Sequence, residues 1–222
     1  MAAPAETTFL FTSALPGEGK TTVAAALAQR LAAAGHSVLV VDCHFSSPQL
    51  TVAWAVCPFP GLAEYLSGRC SLEALFAAVA PSRATSREPL LATSPQPIAM
   101  AVLPTGAWRP ELAGALAGPA LRRLLAEATK RWDWVFLDAG AVTSQSEMRL
   151  LAHACDATVL VAAVGATRFA DAQAAVRNLR AGAAKKLALI LNSVPAGHAA
   201  LPAQPAAAPA ADAVSAAAAG AN

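Results

Sequence analysis

A chain of 222 residues and 22.4 kDa has room for one domain of ordinary size and a tail, which excludes a multidomain receptor. Hydrophobic residues make up 56% and mean hydropathy is +0.47, yet alanine carries the excess and no apolar run approaches the ~18 residues of a spanning helix, so no membrane span is expected. Sixteen basic and fourteen acidic residues leave a net charge of +2, too balanced for a nucleic-acid partner.

The stretch Met1 to Glu6 has no Lys or Arg, and the apolar run that follows ends in a glycine-rich turn; no cleavable leader is expected, and the location implied is cytoplasmic. The first predicted strand is Thr8–Ser13. After it come Pro16-Gly-Glu-Gly-Lys-Thr-Thr22 and a helical pattern over Lys20–Ala34. Strand, glycine-rich loop and helix in this order make a phosphate cradle. Gly17 and Gly19 permit backbone that turns successive amides onto an anion, and the helix adds its N-terminal dipole. In this reading Pro16, Gly17, Glu18 and Gly19 shape the loop, Lys20 reaches the β- and γ-phosphates of ATP, Thr21 ligates Mg²⁺ and Thr22 meets the α-phosphate.

Gly35 stands where a helix C-cap belongs, and Ser37–Asp42 reads as a second strand closed by a carboxylate. A helix is expected over Ser71–Val79, a surface excursion over Pro81 to Pro97, a strand over Ile98–Leu103 and a helix over Pro119–Arg131. Trp134–Asp138 repeats the pattern of an apolar strand ending in an acid, the form of a Walker B element that holds Mg²⁺. Helix Ser146–Ala154, strand Thr158–Ala163, helix Arg168–Gly182 and strand Leu187–Asn192 follow. Strands that are apolar throughout, alternating with helices, predict a three-layer α/β fold of the P-loop NTPase kind: a mainly parallel sheet covered on both faces. Asp42 and Asp138 then both open onto the ligand crevice at the carboxyl ends of the strands.

From Pro195 the composition turns to alanine and proline with Asp212 the only charge, so residues 1–194 are read as the domain and 195–222 as a disordered tail, with Ala213–Ala219 able to flicker helical. The four cysteines are far apart and are read as reduced packing residues. Arg122, Arg123, Lys130 and Arg131 are read as a solvated helix face, Trp132 and Trp134 as core and rim packing, and Trp54 and Trp108 as loop residues open to a partner.

Taken together, Thr12-Ser-Ala-Leu-Pro-Gly-Glu-Gly-Lys-Thr-Thr22, Val38 to Leu50 with Asp42, Gly61-Leu-Ala-Glu-Tyr-Leu-Ser-Gly68, Leu103-Pro-Thr-Gly106 and Trp132 to Asp138 resemble the bacterial tyrosine kinases of capsule and exopolysaccharide biosynthesis. These are a branch of the MinD/ParA-like P-loop ATPases. The resemblance implies ATP and Mg²⁺ as cofactors, with Thr21, Asp42 and Asp138 around the metal and Lys20, Asp42 and Asp138 as catalytic residues. It implies Asn192 near the base, and a membrane polysaccharide co-polymerase as the activating partner that recruits the protein to the inner face of the membrane. The chain departs from the pattern in several places. The second acid of the family's DxD motif is His44, a residue open to protonation beside Asp42. The following arginine pair is Ser46-Ser47, the first loop glycine is Ala14, and, with the first strand at Thr8, no counterpart of the family's N-terminal helix is expected. The only tyrosine is Tyr65, whereas the family carries a tyrosine cluster in its tail. Leu15 replaces the signature lysine of MinD and ParA themselves. Three functions are compatible: a kinase-like ATPase switched by its partner, a catalytically weak nucleotide switch, or a MinD/ParA-like ATPase of the cellulose-operon type.

Overall fold

A computed structural model describes residues 6–79, 100–143 and 147–195. Six strands form one all-parallel sheet: β1 (Thr8–Ser13), β2 (Val38–Cys43), β3 (Met100–Leu103), β4 (Trp134–Ala141), β5 (Ala157–Ala163) and β6 (Leu187–Asn192). Their spatial order is β3-β2-β4-β1-β5-β6. Because every strand points the same way, the loops that follow β1, β2, β4, β5 and β6 share one rim.

The continuous apolar runs are explained by how side chains alternate across the sheet. Val38 and Val40 enter one core with Phe11, Phe136, Val159 and Val161, while Leu39 and Val41 enter the other with Leu10, Val135 and Leu137. Helix α1 (Lys20–Ala33) closes the first core through Ala24 and Ala28, with Ala32 continuing the same buried stripe. Four-residue spacing puts these alanines on one face, and their small size brings the helix close to the sheet. These α1 alanines are thus helix–sheet contacts. The short helix α2 (Gln49–Ala53) adds Leu50 on this side. The opposite core is covered by α4 (Leu72–Ala78), α5 (Pro119–Ala128), α6 (Met148–Ala154) and α7 (Phe169–Ala181), with α3 (Leu62–Leu66) and a 3₁₀ turn over Pro110–Ala117 beside them.

Several expectations shift. Helix α2 and the 3₁₀ segment have no counterpart in the sequence reading: α2 is too short to show a period, and a 3₁₀ segment turns every three residues instead of 3.6. Strand β4 runs on to Ala141, three residues past the acid, where Val142 N–H still bonds Ser13 O at 2.9 Å. Gly35 takes the left-handed φ of +91° expected of a helix cap, but Gly182 does not: Ala183 carries the positive φ, at +56°. Gly182 answers to packing instead, since a Cβ there would stand 2.8 Å from Arg149 Cβ. Trp108 is half-buried and stacks on Phe45 at 3.7 Å between ring centroids. Trp54 packs against the α1-side core. Trp132 meets Phe76 edge-on and Trp134 tilts against Phe9. Of the basic helix residues, Arg131 lays its guanidinium over the Phe76 ring at 4.7 Å. Cys43 and Cys155 are buried free thiols that burial pushes to higher pKa, consistent with packing. The Pro81 to Pro97 excursion, Ile98 and Ser146 at the starts of two expected elements, and the tail from residue 196 lie outside the described residues.

Candidate functional site

The loop between β1 and α1 has the backbone its glycines allow. Gly17 and Gly19 take φ of +84° and +83°, a region costly for any side chain. At Gly19 space also decides, because a Cβ would lie 2.1 Å from Asn192 Nδ2. Ala14 tolerates the first loop position because its φ is not positive; it is fully buried, and its carbonyl accepts the Thr143 hydroxyl at 2.8 Å. Lys20 opens α1 and is only 5% exposed. Pro16, Gly17 and Thr22 line the solvent side of the loop. Asn192, at the end of β6, donates from Nδ2 to Glu18 O at 3.0 Å, so its amide grips the loop backbone.

Asp42 and Asp138 are partners in register on β2 and β4, and both are fully buried. Their surroundings differ. Three donors reach the Asp42 carboxylate: Thr51 N–H at 2.9 Å, the Thr51 hydroxyl at 2.8 Å and His44 N–H at 3.2 Å. Hydrogen bonds to a charged acceptor fix its orientation strongly. Neither oxygen of Asp138 has a partner, and the Thr21 hydroxyl is buried and unpartnered too. Burial pushes the Asp138 carboxyl up to about 7, and the Asp42 charge adds to this. Lys20 and the neighbouring Thr21 hydroxyl work against it, although that hydroxyl is not aligned to donate. Buried polar atoms are rarely left unpaired, and three such oxygens beside a phosphate loop are what a hydrated Mg²⁺ on a nucleotide would satisfy. Among the described residues no three His, Cys, Asp or Glu side chains close on one point as a metal cage. The residues fit a metal whose shell the phosphates and water complete.

His44 is half-buried, with Nδ1 unpartnered. Burial and then the Lys20 charge lower its pKa, outweighing the pull of Asp42. Protonation beside Asp42, which the sequence leaves open, is therefore disfavoured in this setting.

Two residues that sequence reasoning missed hold the acidic strand end in place. Thr51 binds Asp42 from the first turn of α2, nine positions along the chain, and no motif marks it. Thr105 donates to Asp42 O at 2.6 Å and is 1% exposed. The segment carrying Thr105 is itself clamped: Leu62 N–H bonds Pro104 O and Ala63 N–H bonds Thr105 O, both at 2.9 Å. Glu64 accepts from Gly61 N–H at 2.9 Å and Ala107 N–H at 3.1 Å. The Gly61 and Leu103 motifs thus form one scaffold behind Asp42.

These features have counterparts in known proteins. The family described as the CobQ/CobB/MinD/ParA nucleotide binding domain matches residues 9–203. The tyrosine-protein kinase YwqD of Bacillus subtilis is 31% identical over 183 residues, covering 82% of this chain and 70% of that protein. The succinoglycan biosynthesis transport protein ExoP of Rhizobium meliloti is 30% identical over 158 residues, which is 70% of this chain and 18% of that one. The kinase domain of the Escherichia coli tyrosine kinase ETK superposes with a TM-score of 0.73 at 22% identity, covering 87% of this chain and 69% of that one. The chain therefore belongs to the CobQ/CobB/MinD/ParA nucleotide-binding family, in its branch of bacterial tyrosine-protein kinases.

Proposed function

We propose that this chain binds ATP as a tyrosine-kinase-like protein of exopolysaccharide or capsule biosynthesis, regulating polymerisation or export with a membrane co-polymerase. The observation that carries the reading is the convergence of a buried Lys20 with three unpartnered buried oxygens, on Thr21 and Asp138, at the mouth of a glycine loop. Loop amides from Gly17 to Thr21 take the β- and γ-phosphate oxygens, the Lys20 ammonium offsets their charge, Thr22 meets the α-phosphate and Asn192 lies toward the base. Thr21 and Asp138 would hold Mg²⁺, with Asp42 beside them; such an ion neutralises charge on the transferring phosphoryl group. Asp42, oriented by Thr51 and His44 N–H, is the group placed to accept a proton from the attacking hydroxyl.

Tyr65 is the one tyrosine. Its hydroxyl donates to Ala120 O at 3.1 Å, and burial raises its pKa. We therefore propose that the acceptor of any phosphoryl transfer lies on another molecule. The name of ExoP supports the polysaccharide setting. Among the described residues no helix is long and apolar enough to cross a membrane, so a membrane partner is proposed to supply the attachment and the switch.

A second reading, a nucleotide switch that catalyses little, is favoured by the neutral His44 where the family pattern has an acid. ATP turnover and phosphotyrosine formation, measured with and without the cytoplasmic segment of a co-polymerase, separate the two. The kinase reading expects stimulated turnover and phosphorylation of an added tyrosine substrate. Tight ATP binding with neither activity would leave the switch.

A further inference from the structure

The phosphate loop contains a buried carboxylate, and binding an anion does not call for one. Glu18 is 4% exposed and is held at both oxygens. Its Oε2 accepts Leu15 N–H at 2.8 Å within the loop, and its Oε1 accepts the Thr167 hydroxyl from the turn after β5. Thr167 is itself anchored, since its hydroxyl accepts Ala163 N–H at 2.8 Å and its own N–H bonds Ala163 O at 2.9 Å. The carboxylate thus ties the loop to the end of a strand adjacent to β1. From the neighbouring strand, Asn192 holds Glu18 O.

A six-residue glycine loop free to sample its conformations loses roughly 1–2 kcal/mol per residue when ordered, and a binding site that is ordered beforehand does not bear that loss on binding. We infer that Thr167, acting through Glu18, is a positioning residue for nucleotide binding: its hydroxyl keeps the loop amides in their anion-receiving arrangement before the ligand arrives. The inference rests on the nucleotide-binding reading and adds to it a residue of the β5–α7 turn, outside the loop itself. It also accounts for an acid within a phosphate loop, since both oxygens of Glu18 are engaged in bracing.

Calorimetry on the full chain tests this, with Mg·ADP and with Mg²⁺ plus inorganic pyrophosphate, a probe that meets only the loop. Thr167→Val keeps the shape and removes the hydroxyl; it is expected to weaken both ligands by the same factor, about tenfold or more, the scale of a hydrogen bond to a charged group. Thr167→Ser is expected to stay within about twofold of wild type. Glu18→Ala, which leaves no acceptor, should weaken binding, and adding Thr167→Val to it should cost little more, because both remove one interaction. Wild-type affinity in Thr167→Val, no rescue by serine, or additive losses would overturn the inference while wild-type binding leaves the nucleotide reading standing. Should the valine variant not fold, wild-type affinity in Glu18→Ala overturns it equally. A wild-type chain that takes neither ligand overturns both.

Discussion

Asp138 and Asp42 lie side by side at the ends of adjacent strands, yet only one is supplied with donors, and this asymmetry has consequences that can be measured. With its carboxyl pushed to about 7 against an ordinary value near 4, the nucleotide-free fold binds a proton at Asp138 that the unfolded chain has already released. Stability associated with it is complete below about pH 4 and is lost as pH rises through 7. Asp138→Asn is expected to remove that loss: near wild type at pH 4, and more stable than wild type at pH 8 by up to about 4 kcal/mol in denaturant unfolding. An unchanged pH profile would show that Asp138 is already solvated or paired. His44 makes the opposite kind of prediction. It supplies a neutral ring where the family pattern supplies a carboxylate, so turnover should be slow. General-base contributions of ~10²–10⁴-fold lead us to expect at least a tenfold rise in steady-state ATP hydrolysis for His44→Asp. A fast wild type slowed by the change would make His44 itself catalytic.

The elements were legible to different degrees for physical reasons. All six strands showed in the sequence because two-sided burial makes each an apolar run, and α1 and α7 because they are long enough to show a period. Helix α2 lacks that length and the 3₁₀ turn follows a period of three, and with α2 went Thr51, whose partnership with Asp42 depends on a fold-back that spacing does not signal. Glu18 was legible as a loop residue but not as a brace, since its partner Thr167 lies 149 positions away. Gly182 shows a cap motif fulfilled one residue late. Ala183 in the left-handed region costs roughly 1 kcal/mol, so Ala183→Gly is expected to stabilise the chain by about 0.5–1 kcal/mol in urea unfolding. Gly182→Ala should destabilise it, because its Cβ meets Arg149 backbone and side chain at 2.8–3.0 Å. Equal effects at the two positions would contradict this division between conformation and packing.

For the whole molecule, the sheet order and its single rim bring together motifs spread from Pro16 to Asn192, and that gathering sets a loop, two acids and an amide at the proposed nucleotide site. Where the domain stops is a separate question: the family match runs to residue 203, and composition places the boundary at Val194. We propose the earlier limit, so a chain ending at Val194 should melt within about 2 °C of the full chain. A larger drop would assign residues 195–203 to the domain. The central claim is that the glycine loop and Lys20 bind a nucleotide's phosphates, and titration calorimetry of the wild-type chain and Lys20→Ala with Mg·ADP tests it most directly. We predict saturable one-to-one binding by the wild type and none measurable by a folded Lys20→Ala, because the variant leaves the β-phosphate without its buried cation. Unchanged affinity in a folded Lys20→Ala would contradict the account.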